Sequence, residues 1–281
     1  MSALAASHPT LLDLAKRLDP DGKIDVIAEI LTQENPILED LSFVEGNLPT
    51  GHRTTIRTGL PTPTWRKLYG GVQPTKSNTA QVTDSCGMLE AYAEVDKALA
   101  DLNGNTAAFR LSEDRAHIEG MAQELASTII YGNEGDQPEA FTGLAPRYNS
   151  LSAANADNIV SAGGTGSDNT SIWLVVWGDQ TLHGIYPKGS RAGLDMQDKG
   201  QVTIENVDGS GGRMEAYRTH YRHDCGLTVR DWRFAARVCN IDVSALTSDG
   251  TADDRAAAQK ALINFMVQAS ERIPSLSKGR A

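Results

Sequence analysis

The segment His220–Cys225 brings together residue types that bind metal ions or take part in catalysis. It contains His220, His223 and Cys225, and His183 is a candidate ligand from outside the segment. Zinc sites need three or four ligands that converge at about 2.0–2.3 Å. On a β-strand alternate side chains share a face, so His223 and Cys225 would point together while His220 points away. The pattern therefore favours a strand packed against its neighbours over a metal site or a Cys-His catalytic site.

Two further patterns are weak as functional motifs. Gly163–Gly166 is rich in glycine, but no Gly-Lys-Ser/Thr follows it and it precedes a strand instead of opening a helix. Glu113, Glu119 and Glu124 lie in a predicted helix, and no second helix with matching acids is evident in the sequence. These acids are interpreted as a solvated face. No catalytic residue, cofactor site or metal site is predicted.

Positive charge is concentrated in one segment of an otherwise acidic chain. Gly46–Thr83 contains no Asp or Glu, although the whole chain has a net charge of −10. Its short predicted strands, His52–Arg57, Thr64–Leu68 and Thr79–Thr83, are separated by Gly and Pro and are poor in large apolar residues. A hairpin without a core of its own is marginal in water, so we expect it to lie on a partner protein. Its cations are Arg53, Arg57, Arg66, Lys67 and Lys76.

The composition excludes several classes of protein. With 281 residues, of which 40% are hydrophobic, the chain can bury a core. Its pI near 5.1 argues against a general nucleic-acid-binding surface, and the basic segment offers only Trp65 and Tyr69 for base stacking. No run of 18 apolar residues and no secretory signal is evident, so no membrane association is expected. Three cysteines without paired spacing favour a reduced, cytosolic compartment.

A long helix is the element around which the other predicted elements are arranged. It lies within Asn105–Leu144, and Gly132 is expected to end it in a left-handed conformation. Its apolar face is formed by residues at helical spacing: Ile118, Met121, Leu125 and Ile129. Other helices are predicted at Thr10–Leu18, Asp25–Gln33, Gly87–Leu102, Ser152–Ala162 and Ala252–Ile273.

The second half of the chain is predicted to be rich in strands. Ser171–Trp177 is a short apolar run that suits a strand buried on both faces, and His183–Tyr186 is expected to pair with it. Further strands are predicted at Val202–Asn206, Arg213–His223 and Leu227–Val238. A break is expected at Cys225-Gly226, because glycine weakens a strand interior.

A string of short motifs resembles the major capsid proteins of tailed bacteriophages. Each motif is weak alone, but together they extend over most of the chain, from about Ile24 to Arg280. The motifs are Asn35–Asp40, Glu45–Asn47, Thr50–Thr55, Arg57–Pro61, Trp65–Leu68, Gly71-Val72, Asp96–Ala100, Ile130–Asn133 and Phe141–Leu144.

The resemblance implies an α+β fold of the Hong Kong 97 type. It assigns residues 1–45 to an N-terminal arm and 46–86 to an extended hairpin, the E-loop. Residues 87–245 would form a peripheral domain with a spine helix at about 106–131 and a long sheet, and 246–281 would begin an axial domain. Proteins of this type continue with further strands, so either the axial domain is reduced or the sequence is incomplete at its C-terminus.

The function implied is that of a shell subunit without enzymatic activity or cofactors. Copies would assemble as hexamers and pentamers into an icosahedral head that encloses DNA without sequence-specific binding. Assembly would take place in the bacterial host cytoplasm, and scaffold, portal and cement proteins are further candidate partners. The cations of the hairpin would contact an acidic face of the spine helix on a neighbouring copy, formed by Glu113, Glu119 and Glu124.

Two alternatives to a phage capsid remain open at this point. An encapsulin-like compartment has the same fold and would package a protein cargo. A metal-dependent enzyme centred on His220, His223 and Cys225 is the alternative from a different class.

Overall fold

A computed structural model describes residues 35–104, 106–205, 211–247 and 251–274. The predicted helices Thr10–Leu18 and Asp25–Gln33 lie outside the described residues. The helices are α1 (Pro36–Asp40), α2 (Lys97–Ala100), α3 (Thr106–Tyr131), α4 (Leu144–Arg147), α5 (Val243–Thr247) and α6 (Ala252–Arg272). The strands are β1 (Phe43–Glu45), β2 (Gly51–Gly59), β3 (Asn78–Asp96), β4 (Ile159–Ser161), β5 (Asn169–Val175), β6 (Leu182–Tyr186), β7 (Asp195–Glu205), β8 (Arg213–Val229) and β9 (Ala235–Asp242). Short 3-10 helices occur at Leu102–Gly104, Ala156–Asn158 and Trp232–Phe234.

The strand β3 joins the hairpin to the body of the molecule. Its first part pairs with β2 in antiparallel register, and its second part pairs with β8 from Cys86 to Asp96. The predicted helix at Gly87–Leu102 is therefore wrong, and only α2 within it is helical. The apolar residues of this segment fit the periodicity of a helix and also the alternation of a strand. Pairing with β8 decides in favour of the strand. The predicted strand at Thr64–Leu68 is also wrong, since this part of the hairpin has no regular structure.

The main sheet has the strand order β1-β6-β8-β3-β2, and β7 also pairs with β8. Because β8 is continuous through Cys225-Gly226, the break predicted there is wrong. Gly226 tolerates no side chain, since an added Cβ would lie 2.4 Å from the Ser85 carbonyl oxygen on β3. The interruption lies instead at the 3-10 turn Trp232–Phe234, between β8 and β9. The predicted pairing of β6 with the strand at Ser171–Trp177 is limited to one bridge between Trp177 and Leu182, because β6 pairs with β1 and β8 instead.

The long helix α3 covers one face of the main sheet. Met121, Leu125 and Ile129 are buried as predicted, whereas Ile118 is 38% exposed. Gly132 follows the end of the helix, but for a different reason from the one predicted, because it does not have a positive φ. A Cβ on Gly132 would lie 2.4 Å from the Phe141 carbonyl oxygen. Glycine is needed here because the following loop folds back onto the helix end.

A second sheet, of order β4-β9-β5, packs against α6. Thr251 and Asp254 form a capping box at the start of α6, and Phe265 and Ala269 face the sheet. The predicted helix at Ser152–Ala162 is wrong, since turns and a 3-10 helix lead into β4. Asn158 explains this difference, because its buried amide donates a 2.7 Å hydrogen bond to the Ala235 carbonyl and competes with helical bonding. Among the described helices, none is long and apolar enough to cross a membrane.

Candidate intersubunit surfaces

The root of the hairpin is held by side chains that bridge several elements. Asp84 on β3 is buried and forms a 2.7 Å ion pair with Arg147 on α4. Arg147 also donates to the carbonyl of Leu227 on β8, at 3.2 Å. On the other strand, the Asn47 amide donates to the carbonyl of Arg53 and accepts from its N–H, both at 2.8 Å. These contacts fix the direction in which the hairpin leaves the sheet.

Two histidines pack against each other beside this root. The rings of His52 on β2 and His183 on β6 lie edge to face, with centroids 6.0 Å apart. Burial lowers the pKa of both imidazoles, and the nearby positive charge of Arg230 lowers them further. Nδ1 of His52 and Nε2 of His183 are buried without a hydrogen-bond partner among the described residues. The pair is therefore suited to the neutral form.

The predicted cations of the hairpin all lie on its exposed surface. Arg53 is the one that the structure ties to a neighbour, since its Nε donates a 3.2 Å hydrogen bond to Oγ1 of Thr83. The remaining cations, Arg57, Arg66, Lys67 and Lys76, are also exposed. Their positions leave the whole positive set available to an acidic surface.

The tip of the hairpin, residues 60–77, also exposes large apolar side chains. Trp65 and Tyr69 are fully exposed, and Leu60 and Leu68 are 77% and 84% exposed. A turn closed by a 3.0 Å hydrogen bond from the Gly70 N–H to the Lys67 carbonyl presents Leu68 and Tyr69, with Tyr69 at a φ of 61°. Apolar residues gathered on a protruding loop are typical of an interaction site. The composition of this segment did not predict an apolar contact site, because its large apolar residues are few and are separated by polar residues, Gly and Pro.

The three acids of α3 do not form a single face. At 100° per residue, Glu113 and Glu124 are about 20° apart around the helix, whereas Glu119 is about 120° from Glu113. Glu119 accepts a 2.8 Å hydrogen bond from Gln123, and Glu124 is exposed. The helix therefore places Glu113 and Glu124 on one side and Glu119 on another.

A cleft lies beside Glu124, between the end of α3, the first residues of the sheet portion of β3 and the loop that follows α3. Its volume is about 240 Å³. The lining residues are Gly87, Met88, Leu89, Glu124, Leu125, Thr128, Gln137, Glu139, Ala140, Phe141 and Cys225. Most of the wall is apolar, and two carboxylates, those of Glu124 and Glu139, stand at exposed positions on it.

Comparison with protein families gives a match over residues 19–281 to the major capsid protein GP7 family. The chain belongs to this family. The solved structure of Bacteriophage Epsilon15 is 41% identical, covers 98% of this chain and 81% of that chain, and superimposes with a TM-score of 0.73. Comparison with curated protein sequences gives no match.

More distant structures share the fold alone. The capsid of a native GTA particle is 10% identical with a TM-score of 0.53, and covers 80% of this chain and 95% of that chain. The encapsulin complex of Synechococcus elongatus PCC 7942 is 14% identical with a TM-score of 0.51, and covers 86% of this chain and 99% of that chain.

The comparisons confirm the Hong Kong 97-type fold and the prediction of a bacteriophage major capsid protein. The protein is a structural subunit of the icosahedral head shell and is part of the virion. The encapsulin-like alternative is less favoured, because the encapsulin likeness is distant and shows only the fold.

In this major capsid protein the residues of His220–Cys225 serve the packing of β8. His220 stacks on Tyr92 with ring centroids 4.4 Å apart and lies 3.1 Å from the Glu90 carboxylate. His223 lies on the opposite face, next to Phe43, and burial lowers its pKa. Burial also raises the pKa of Cys225 to about 12. Among the described residues, no three His, Cys, Asp or Glu side chains are grouped so that they could hold a metal ion.

Proposed function

We propose that copies of this chain assemble into closed hexameric and pentameric rings in which each hairpin lies on an adjacent copy. The observation that carries the proposal is the hairpin itself. It protrudes from the sheet on two paired strands, exposes five cations without a single acid, and has large apolar side chains at its tip. A surface of this kind gains stability only when another molecule covers it.

Charge supports an adjacent copy as that partner. The remainder of the chain is strongly acidic, and exposed carboxylates such as Glu124 on α3 are available to receive Arg53, Arg57, Arg66, Lys67 and Lys76. Glu113 and Glu119 on α3 are further proposed contacts. Because the hairpin and the acidic helix are different surfaces, the contact joins copies head to tail and can close into a ring.

The proposal extends to the domain assignment and to the partners of the shell. Residues 1–45 act as an arm, 46–86 as the E-loop, 87–245 as the peripheral domain and 246–281 as the start of the axial domain. The shell encloses DNA without reading its sequence, and scaffold, portal and cement proteins are proposed partners. The subunit has no catalytic activity or cofactor of its own.

The test reverses charge on the hairpin with Arg53→Glu and Arg57→Glu together. Electron microscopy of the purified protein should show a lower yield of shells, with unchanged circular dichroism of the unassembled subunit. The matched control is Arg191→Glu with Lys260→Glu, which makes the same charge change at two exposed positions outside the hairpin. Normal assembly of the hairpin variant at physiological salt would contradict the proposed electrostatic role. Nucleic acid inside the shells, and not a protein cargo, is the expected content.

A further inference from the structure

Beyond the charged contact, the tip of the hairpin carries large apolar side chains that no described residue of the same chain covers. Trp65, Leu68 and Tyr69 lie within five consecutive residues and are 104%, 84% and 103% exposed. Arg66 and Lys67 lie between them. The same short segment therefore presents two aromatic rings, one aliphatic side chain and two positive charges.

The cleft beside α3 has complementary properties. Leu89, Leu125 and Phe141 give it an apolar wall, while Glu124 and Glu139 provide exposed carboxylates at its edge. Its volume of about 240 Å³ is below the roughly 300–1,000 Å³ of typical small-molecule sites. The size suits the insertion of one or two large side chains better than the binding of a free ligand.

The cleft cannot receive the tip of its own chain. It begins at Gly87, two residues beyond Ser85, which pairs with Gly51 at the root of the hairpin. The strand Gly51–Gly59 then carries the chain away from the root for about 30 Å at 3.3 Å per residue. An occupant of the cleft with the chemistry of the tip must therefore come from a second copy.

We propose that Trp65 of one copy, flanked by Leu68 and Tyr69, inserts into the cleft of the next copy. In that position Arg66 and Lys67 lie against Glu124 and Glu139. The inference rests on the proposed ring assembly and identifies its apolar anchor. Aromatic side chains seated in a pocket carry most of the energy of many interfaces, whereas exposed ion pairs carry little. The anchor, more than the cations, then determines how tightly the hairpin is held.

The first experiment measures the subunit concentration at half-maximal shell formation by light scattering. Trp65→Ala removes the anchor, and Ala140→Trp fills the cleft. Each is expected to raise this concentration about 30-fold, the weakening typical of a lost hot-spot residue. The matched controls are Leu60→Ala, which removes an exposed apolar residue outside the turn, and Ser127→Trp, which adds a ring at an exposed position of α3 outside the cleft. Both controls are expected to remain within about 3-fold of the unmodified protein.

The outcomes separate the anchor from the assembly model. Suppose that the unmodified protein forms shells while Trp65→Ala or Ala140→Trp has a half-maximal concentration within 3-fold of it. In that case the proposed insertion of Trp65 is wrong, while the proposed function stands. If the unmodified protein forms neither shells nor hexameric or pentameric rings, the proposed ring assembly itself fails. Thermal unfolding of unassembled Ala140→Trp establishes that the variant folds. Raising the salt concentration should reduce the penalty of Arg53→Glu with Arg57→Glu but not that of Trp65→Ala, because salt screens charge and not apolar burial.

Direct proximity is tested with cysteines. Trp65→Cys combined with Gln137→Cys places thiols on the tip and at an exposed position of the cleft. Mild oxidation of assembled shells should give covalently linked chains beyond the background of Trp65→Cys alone. Trp65→Cys combined with Ser127→Cys is the control and should give only that background. Equal cross-linking in both double variants would overturn the proposed placement.

Discussion

Breaking the ion pair at the root of the hairpin should destabilise the subunit far more than breaking an ion pair on its surface. The Asp84 side chain is 3% exposed and that of Arg147 is 19% exposed, and their oxygen and nitrogen atoms are 2.7 Å apart. Asp84 also accepts a hydrogen bond from the hydroxyl of Thr228 on β8. The substitution Asp84→Ala leaves both the guanidinium and this hydroxyl without their anionic partner.

The size of the effect follows from burial. Removing one partner of a buried ion pair typically costs about 3–5 kcal/mol of the free energy of unfolding. Arg147 keeps hydrogen bonds to the carbonyls of Thr142, Gly143 and Leu227, and it is partly exposed. These contacts stabilise its charge after the substitution, so we expect a loss near the lower end, about 3 kcal/mol. Asp84→Asn should also be costly, because it keeps the shape of the side chain but removes its charge.

Urea denaturation of the unassembled subunit measures this loss. The matched control is Glu205→Ala, which breaks the ion pair with Arg213, where both side chains are more than two-thirds exposed and the expected cost is about 0–1 kcal/mol. The double variant Asp84→Ala with Arg147→Ala should cost less than the sum of the single variants, because neither charge is then left unpaired. If Asp84→Ala costs no more than Glu205→Ala, or if the two substitutions are additive, the root is not held by this ion pair.

Three other outcomes follow from the buried groups. His52 and His183 have lowered pKa values, so the unfolded chain takes up protons first as the pH falls below the ordinary value of 6.5. The stability of the fold should therefore be highest above pH 6.5 and decline as the pH falls through the folded pKa values. Thermal unfolding at pH 5–8 measures this decline, which should be less steep in the double variant His52→Gln with His183→Gln. Gly132→Ala should cost about 1–3 kcal/mol in urea denaturation, because the added Cβ meets the Phe141 carbonyl, whereas the same change at Gly120, which has open space around it, should not. Cys225, with its pKa raised to about 12, should react with a thiol reagent at pH 8 only after unfolding, and reaction at the rate of a free thiol in the native subunit would contradict its burial.

The local pattern was sufficient to predict α3 and α6, because each is a long amphipathic helix whose apolar stripe faces a sheet. It was not sufficient for β3. Leu89, Val95 and the residues between them fit a helical stripe and a strand face equally well, and the pairing partner β8 lies more than 100 residues away in the sequence. The spacing of apolar residues within a segment does not reveal a pairing partner so far away in the sequence. The local pattern alone therefore could not show that Gly87–Leu102 is mainly a strand.

The candidate surfaces were predictable to a different extent. The segment between Gly46 and Thr83 was predicted to form a hairpin, and the pairing of β2 with β3 confirms it. Its role as a contact surface in assembly stays a prediction. The root cluster was missed, because Asp84 and Arg147 are ordinary charged residues in sequence and become a pair only when β3 and α4 meet. The cleft was missed for the same reason, since its walls come from β3, α3, β8 and the loop after α3.

A fixed root and an apolar tip together favour the proposed assembly contact over nonspecific association. The root, held by Asp84 and Arg147, fixes the direction of the hairpin, so a binding copy loses little conformational entropy in ordering it. The cations beside Trp65 keep the exposed tip hydrated and direct it toward acidic surfaces, while an acidic body repels other acidic bodies. Nonspecific association through the indole ring of Trp65 alone is thereby disfavoured. In the proposed contact the tip is stabilised where an apolar wall and carboxylates occur together, as they do beside Glu124 and Glu139.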